Sequence, residues 1–298
     1  MAASRIAPVN NPTLWAEYVP RRTTDSHKYS NGPVLVVSGP ELRTGASRLA
    51  AMAALHAGSG AVTLCGDPDA LRIHAAHVTA IMLRETRSAA DLRTLLSSGR
   101  YHAVVLGPAA GLGEATALRI KAILAAGVPT VLDADALTVL ARESARLNLA
   151  EAGDNLVLTP HQGEFRRLFP DLAKRDPIFA SLTAADRDSK LEQARAAARI
   201  TRCTIVFKGP GTVIANPDGR AVVNTNGGPE LATAGSGDVL AGLIAAHLAQ
   251  GMPPFEAAAS AVWLHAEAGA QFGIGLTAEH LANMLRPLAA WIDSNLMD

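Results

Sequence analysis

The stretch of this 298-residue chain best equipped for chemistry is Ala232-Thr233-Ala234-Gly235-Ser236-Gly237-Asp238-Val239-Leu240, which leads into a clean Ala/Leu/Ile helical pattern. Small side chains at Gly235, Ser236 and Gly237 let backbone N–H groups approach a phosphate, and the following helix adds the positive end of its dipole. Asp238 falls in the first helical turn, beside any anion held there, where its carboxylate can take a proton from a substrate hydroxyl. Simple helix capping by Ser236 or Asp238 is the competing reading. The stretch is neither a Walker loop, since no Gly-Lys-Ser/Thr follows, nor a Gly-x-Gly-x-x-Gly dinucleotide fingerprint.

A second phosphate-binding candidate is Lys208-Gly209-Pro210-Gly211-Thr212, between an apolar run and a hairpin pattern. Its lysine can neutralise phosphate, its glycines expose the backbone and Thr212 offers a hydroxyl. Taken alone, such a segment is often only a turn. Thr159-Pro160-His161-Gln162-Gly163-Glu164 supplies a histidine and a carboxylate, although an isolated histidine is more often structural. Asp133 and Asp135, at i and i+2, do not share a helical face, but at a strand end they can orient water, a metal or a lysine; capping the next helix is equally open. Gly111-Leu112-Gly113 follows Leu106-Gly107-Pro108 in another loop after a strand, and Gly45-Ala46 sits at a strand-to-helix junction where a flat ring or ribose can approach the backbone. His265 reads as a core or supporting histidine.

The elements that must position these residues alternate. Short β-branched runs at Val34 to Ser38, Ala61 to Cys65, Ala103 to Leu106, Thr130 to Leu132, Leu156 to Leu158 and Thr204 to Phe207 are separated by helix-length segments, the first from about Thr44 to His56. That alternation predicts an α/β fold with a mostly parallel sheet covered by helices on both faces. Thr212 to Ala215 and Ala221 to Asn224, joined by Asn216-Pro217-Asp218-Gly219, predict a β-hairpin. Three closing helices are expected to start near Gly237, Phe255 and Thr277, and the polar stretch from Asp171 to Asp188 reads as an irregular surface excursion.

At 49% hydrophobic residues, the chain can bury one large core, so residues 1–298 are expected to form a single domain with an irregular N-terminal extension over residues 1–26. Lys plus Arg and Asp plus Glu both total 27, which removes the bulk positive charge expected of a nucleic-acid or anionic-membrane binder and favours a small-molecule partner. The first 30 residues contain no apolar signal core, and no run reaches the roughly 18 apolar residues of a membrane span. A cytoplasmic location is therefore expected. Cys65 and Cys203 lie in strand-like apolar runs and suggest neither a disulfide nor a metal site.

Taken together and in order, these segments resemble the ADP-dependent NAD(P)H-hydrate dehydratases, members of the ribokinase-like superfamily. Gly235-Ser236-Gly237-Asp238 is similar to the Gly-x-Gly-Asp anion hole of that superfamily; His27-Lys28-Tyr29-Ser30, Thr44-Gly45-Ala46, Asp133 to Leu137, Thr159 to Glu164 and Lys208 to Thr212 are similar to segments of the dehydratases in particular. There are departures. Two extra residues separate Gly107-Pro108 from Gly111-Leu112-Gly113, Gly228-Pro229-Glu230-Leu231 stands where many members have Asn-Pro-Gly-Met, and Ala234 replaces a frequent glycine.

The resemblance implies that Asp238 is the base, that Lys208 to Thr212 with Gly235, Ser236 and Gly237 hold ADP, and that Ala46, Gly111, Gly113, His161 and Asp238 contact substrate. It also implies magnesium near Glu164 through water. The implied reaction is dehydration of the S epimer of NADH hydrate or NADPH hydrate (NADHX, NADPHX), with ADP consumed to AMP and phosphate. Because the chain begins just ahead of the dehydratase match, either a separate NAD(P)H-hydrate epimerase is the functional partner or only one epimer is repaired, the first being the expectation; a homo-oligomer is the expected assembly. Two other readings share the motifs: a ribokinase-like kinase of a vitamin-precursor alcohol, and a non-catalytic nucleotide sensor, against which a carboxylate beside a phosphate argues.

Overall fold

The computed structural model describes residues 7–143, 149, 154–173 and 184–295. Nine strands, β1 (Val34–Val37), β2 (Val62–Gly66), β3 (Met82–Glu85), β4 (Ala103–Leu106), β5 (Thr130–Leu132), β6 (Leu156–Leu158), β7 (Thr204–Phe207), β8 (Thr212–Ala215) and β9 (Ala221–Asn224), form one sheet. Their order is β3-β2-β1-β4-β5-β6-β7-β8-β9. β1 to β7 pair in parallel, and β8 and β9 add an antiparallel hairpin at one edge.

β1, β4 and β6 are apolar at every position, and β1, β2 and β4 to β7 are buried along their whole length, because both faces of the sheet are covered. Along β1, Val34 and Val36 enter one core while Leu35 and Val37 enter the other, and Ala103/Val105 and Val104/Leu106 of β4 divide in the same way. The first core packs under helices α1 (Gly45–His56), α9 (Ser236–Ala249) and α10 (Pro254–Phe272), and the second under α4 (Glu114–Ala126), α5 (Ala134–Glu143) and α8 (Ala184–Thr201). The remaining helices are α2 (Pro68–Ala75), α3 (Ala89–Leu96), α6 (Gln162–Leu168), α7 (Pro170–Ala173), α11 (Ala278–Met284) and α12 (Leu288–Asn295).

The six strand runs, the first helix and the hairpin lie where the sequence predicts them. Three elements differ. β3 went unread because it is an edge strand with Met82, Arg84 and Glu85 exposed, so it carries no apolar run. Four helices close the chain rather than three: Pro287 ends the pattern that starts at Thr277, and α12 begins directly after it. Within the stretch from Asp171 to Asp188 read as irregular, α7 extends to Ala173 and α8 begins at Ala184; residues 174–183 lie outside the described residues.

Ahead of β1, where most residues are exposed, the chain is anchored at Asn10 and Trp15. Val9 bridges Val223 of β9, and buried Asn10 donates to Asn224 Oδ1 at 2.9 Å and to the Ala259 carbonyl at 2.8 Å. Trp15 is fully buried and its indole N–H reaches Asn10 Oδ1.

α9 is buried along nearly its whole length and lies against α1 so closely that a methyl group on Gly242 would stand 2.0 Å from the Ala50 carbonyl oxygen. Small residues thus bring two helix backbones together, and the N-terminus of α9 is held against the body of the protein rather than on a free loop. No helix among the described residues is long and apolar enough to cross a membrane.

Candidate active site

α9 begins at the carboxyl edge of the sheet without a side-chain cap. Its N-cap is Gly235, at φ +90°, and a methyl there would meet Leu49 Cδ1 at 2.6 Å and Ala278 Cβ at 2.8 Å, so both backbone angle and space demand glycine. Neither Ser236 nor Asp238 caps the helix. The Ser236 carbonyl is instead 2.9 Å from His265 Nε2, and Ser236 Oγ is 3.2 Å from the same nitrogen. Burial lowers the pKa of His265 to about 4, so the ring is neutral, and a carbonyl partner requires the proton to sit on Nε2. His265 is therefore a buried prop for the loop from the neighbouring helix. The first intrahelical bond joins Val239 N to the Gly235 carbonyl, and no protein acceptor meets the amides of Gly237 or Asp238 among the described residues. Those free donors and the helix dipole equip this point to receive an anion.

Three charged side chains meet at that site. Lys208 follows β7 and its Nζ lies 2.7 Å from Asp133 Oδ1, which also accepts from Thr159 Oγ1 at 2.7 Å. A methyl built on Gly237 would stand 3.3 Å from Lys208 Nζ and 3.7 Å from Asp133 Oδ2, so the ammonium faces the first turn of α9. Burial, and then the negative charge of Asp133, push the Asp238 carboxyl up to about 7, against the pull of Lys208 and with a smaller push from Asp135. A carboxyl titrating near neutrality suits a general base working at neutral pH.

The 208–212 turn is tied from below. Buried Lys190 of α8 donates to the carbonyls of Lys208 at 3.3 Å, Pro210 at 3.1 Å and Gly211 at 3.1 Å, and its ammonium lies 4.9 Å from the Phe207 ring centroid. Thr212 Oγ1 closes the turn on the Gly209 carbonyl at 2.9 Å.

His161 and Glu164 form a reciprocal cap on α6. His161 Nδ1 accepts from the amides of Gly163 and Glu164, and Glu164 Oε2 accepts from the His161 amide at 2.8 Å. Partial desolvation of the half-exposed ring lowers the His161 pKa, with the charges of Lys208 and Arg167 adding, and because Nδ1 accepts those two amides a ring proton belongs on Nε2. Burial raises the pKa of Glu164, with Asp133 adding and Lys208 opposing.

The loops contributed by β1 and β4 complete the edge. A methyl at Gly39 would stand 2.2 Å from the Ala109 carbonyl oxygen, so the two loops touch, and the Gly111 amide donates to Asp135 Oδ2 at 2.9 Å. Ala46 lies one helical turn before Leu49, the residue packed on Gly235. Each residue expected at the site thus lies on loops or helix starts at the carboxyl ends of β1, β4, β5, β6 and β7 or at the start of α9, at one edge of one sheet. Neither aspartate of the 133–135 pair caps α5: Asp133 orients a lysine, and Asp135 anchors the glycine loop. Lys190 is the participant that sequence reasoning missed; a lysine inside a polar helix pattern carries no local mark of burial.

A magnesium ion fits this donor set in one manner only. Among the described residues no three His, Cys, Asp or Glu side chains group to hold a metal, and Asp133 is occupied by Lys208 and Thr159. Glu164 lies beside Lys208 and Asp133 and lines an open cavity, and a lone carboxylate there suits an ion that would be held chiefly by phosphate oxygens and water.

A mostly parallel sheet with a carboxylate and free amides at the start of a buried helix defines a ribokinase-like α/β protein. The structure matches that of a ribokinase-like superfamily protein from Enterococcus faecalis with a TM-score of 0.78 and 24% identity, over 99% of this chain and 98% of that one. It also matches the ADP/ATP-dependent NAD(P)H-hydrate dehydratase of Bacillus subtilis, co-crystallised with ATP and magnesium, with a TM-score of 0.75 and 24% identity over 97% and 98% of the two chains. The sequence carries the likeness further. The chain belongs to the NAD(P)H-hydrate dehydratase family, whose model matches residues 34–287. It is 38% identical to the ADP-dependent (S)-NAD(P)H-hydrate dehydratase of Neisseria meningitidis over 92% of this chain and 89% of that protein. It is 40% identical to the bifunctional NAD(P)H-hydrate repair enzyme of Gloeobacter violaceus over 90% of this chain, and spans about half (52%) of that longer protein.

Proposed function

We propose that this chain is a hydro-lyase that dehydrates the S epimer of NADHX and NADPHX at the expense of ADP, releasing AMP and phosphate. The observation that carries the reading is the convergence of Asp238, Lys208 and the free amides of Gly237 and Asp238 around one point at the start of α9. The names and identities of the Neisseria and Gloeobacter proteins support the same substrate.

Hydroxide is a poor leaving group, and the site is suited to replacing it with a better one. Asp238 removes the proton of the C6 hydroxyl as that oxygen attacks the terminal phosphoryl of ADP; the P–O bond to AMP breaks, and AMP leaves. The amides at the start of α9 and the Lys208 ammonium hold the charge of the transferring group. The C6–O bond then breaks, phosphate departs, a proton leaves C5 and the ring double bond reforms. Lys208, Gly209, Pro210, Gly211 and Thr212, with Gly235, Ser236 and Gly237, form the nucleotide side, and Ala46, Gly111, Gly113 and His161 the substrate side. A methyl on Gly113 or Gly45 would meet no protein atom within 4 Å, so internal packing does not account for the bare backbone at either position, which leaves it open to a ligand. Magnesium, when bound near Glu164 through water, supplies charge neutralisation to the nucleotide phosphates.

The same reading makes NAD(P)H-hydrate epimerase activity the functional complement, with this chain a cytoplasmic homo-oligomer. The bifunctional relatives accord with the first, and the two free, buried cysteines with a reducing compartment. Incubating the protein with hydrated NADH and ADP should restore the absorbance of the reduced nicotinamide while AMP accumulates. Binding of ADP without AMP release would instead identify a sensor, and phosphorylation of a vitamin-precursor alcohol would identify a kinase.

A further inference from the structure

Beside the catalytic edge, a cavity of about 530 Å³ runs between α5 and α6, lined by Leu112, Asp135, Thr138, Arg142, Glu164 and Arg167 among others. Asp135, Thr138 and Arg142 recur at i, i+3 and i+7 on one face of α5, and Glu164 and Arg167 at i and i+3 on α6. Both helices start at the carboxyl edge of the sheet, so each puts its carboxylate nearest the site and its guanidinium farther out. The separation along the axis is about 10 Å on α5 and about 4.5 Å on α6 at 1.5 Å per residue.

The carboxylates are already used inside the protein: Asp135 accepts from the Gly111 amide at 2.9 Å and Glu164 from the His161 amide at 2.8 Å. The guanidinium groups are not. Among the described residues Arg142 and Arg167 make no hydrogen bond or ion pair. Two unpaired, fork-shaped cations facing one groove are receptors for phosphate oxygens, and the volume falls in the range of small-molecule pockets.

We propose that Arg142 and Arg167 bind phosphate of the dinucleotide substrate, outside its reacting ring, and so fix how the hydrate lies in the site. This inference rests on the hydrate-dehydratase reading. The groove opens beside Leu112 of the glycine loop assigned to substrate, whereas the ADP phosphates belong to the turn at Lys208 and the start of α9, so the occupant is the dinucleotide rather than the nucleotide. Two of its groups share the required chemistry: the diphosphate bridge, common to NADHX and NADPHX, and the 2′-phosphate, carried by NADPHX alone.

The test compares wild type with Arg142→Gln, Arg167→Gln and the double variant, measuring hydrate KM for each substrate, KM for ADP, and affinity for NADH and NADPH by fluorescence titration. The double variant is expected to raise hydrate KM at least about tenfold, the scale of one lost charge-assisted contact, with kcat within about twofold and the ADP KM unchanged. Arg142→Lys with Arg167→Lys should recover part of the loss. An equal rise for both hydrates identifies the bridge, and a rise confined to NADPHX identifies the 2′-phosphate. Unchanged hydrate KM and dinucleotide affinity in a folded double variant, or a rise only in the ADP KM, overturns the proposal. If wild type produces no reduced nicotinamide from either hydrate, the enzymatic reading falls, while the dinucleotide titrations still report on the groove.

Discussion

Lys208 Nζ lies 2.7 Å from Asp133 Oδ1 and joins the ends of β7 and β5 across 75 positions of sequence. Asp133 is buried, and its second partner is the Thr159 hydroxyl at the end of β6, so three parallel strands contribute to one charged cluster. One donor of the ammonium goes to the carboxylate, which aims the others at the start of α9.

Removal of the base tests the reaction directly. Asp238→Asn should lower kcat by at least about 100-fold, the scale of a lost general base, while ADP affinity measured by calorimetry stays within a few-fold. Normal turnover would remove Asp238 from the mechanism.

The same carboxyl predicts a pH profile and a stability change. Because its pKa lies near 7, kcat/KM should rise with pH through about that value. Asp133→Asn removes a negative neighbour and frees Lys208 to act on Asp238, and both changes lower that pKa, so the rising limb should move to lower pH. In the folded protein Asp238 stays protonated up to about 7, whereas the unfolded group ionises near 3.8; stability is therefore lost as pH rises between those values and stays lost above. Asp238→Asn should then melt above wild type at pH 8 and lose that advantage at pH 4.

Two glycines should behave oppositely. Gly235→Ala forces a methyl against Leu49 and Ala278 at φ +90°, and should cost about 2 kcal/mol or more in denaturant unfolding. Gly113→Ala, at φ −90° with no protein atom within 4 Å of the added carbon, should leave stability equal or slightly higher while hydrate KM rises.

Lys190→Met should loosen the 208–212 turn, proposed to hold ADP, without touching the reacting atoms. Three carbonyls lose their donor, which costs about 1–3 kcal/mol. ADP KM should rise more than kcat falls; a proportional loss of both, with stability unchanged, would contradict a positioning role.

Much of this protein follows from local sequence. Apolar runs such as Val34 to Val37 and Ala103 to Leu106, buried on both faces, are visible because alternate residues serve two cores, and the Gly235-to-Asp238 motif is visible because close backbone approach and a first-turn carboxylate need those residue types in that order. The edge strand at Met82–Glu85 is not visible, because its exposed, charged side chains erase the apolar run. Nor could local pattern choose between capping and chemistry for Asp133, Asp135, Ser236 and Asp238, since each role uses the same residue type at a helix start. That choice is made by distant partners: Lys208 for Asp133, Gly111 for Asp135, His265 for Ser236, and the buried charge around Asp238. Period and turn chemistry are properties of neighbours in the chain, whereas a raised pKa, the ties made by Lys190 and the unpaired arginines between α5 and α6 exist only once separate strands end at the same edge.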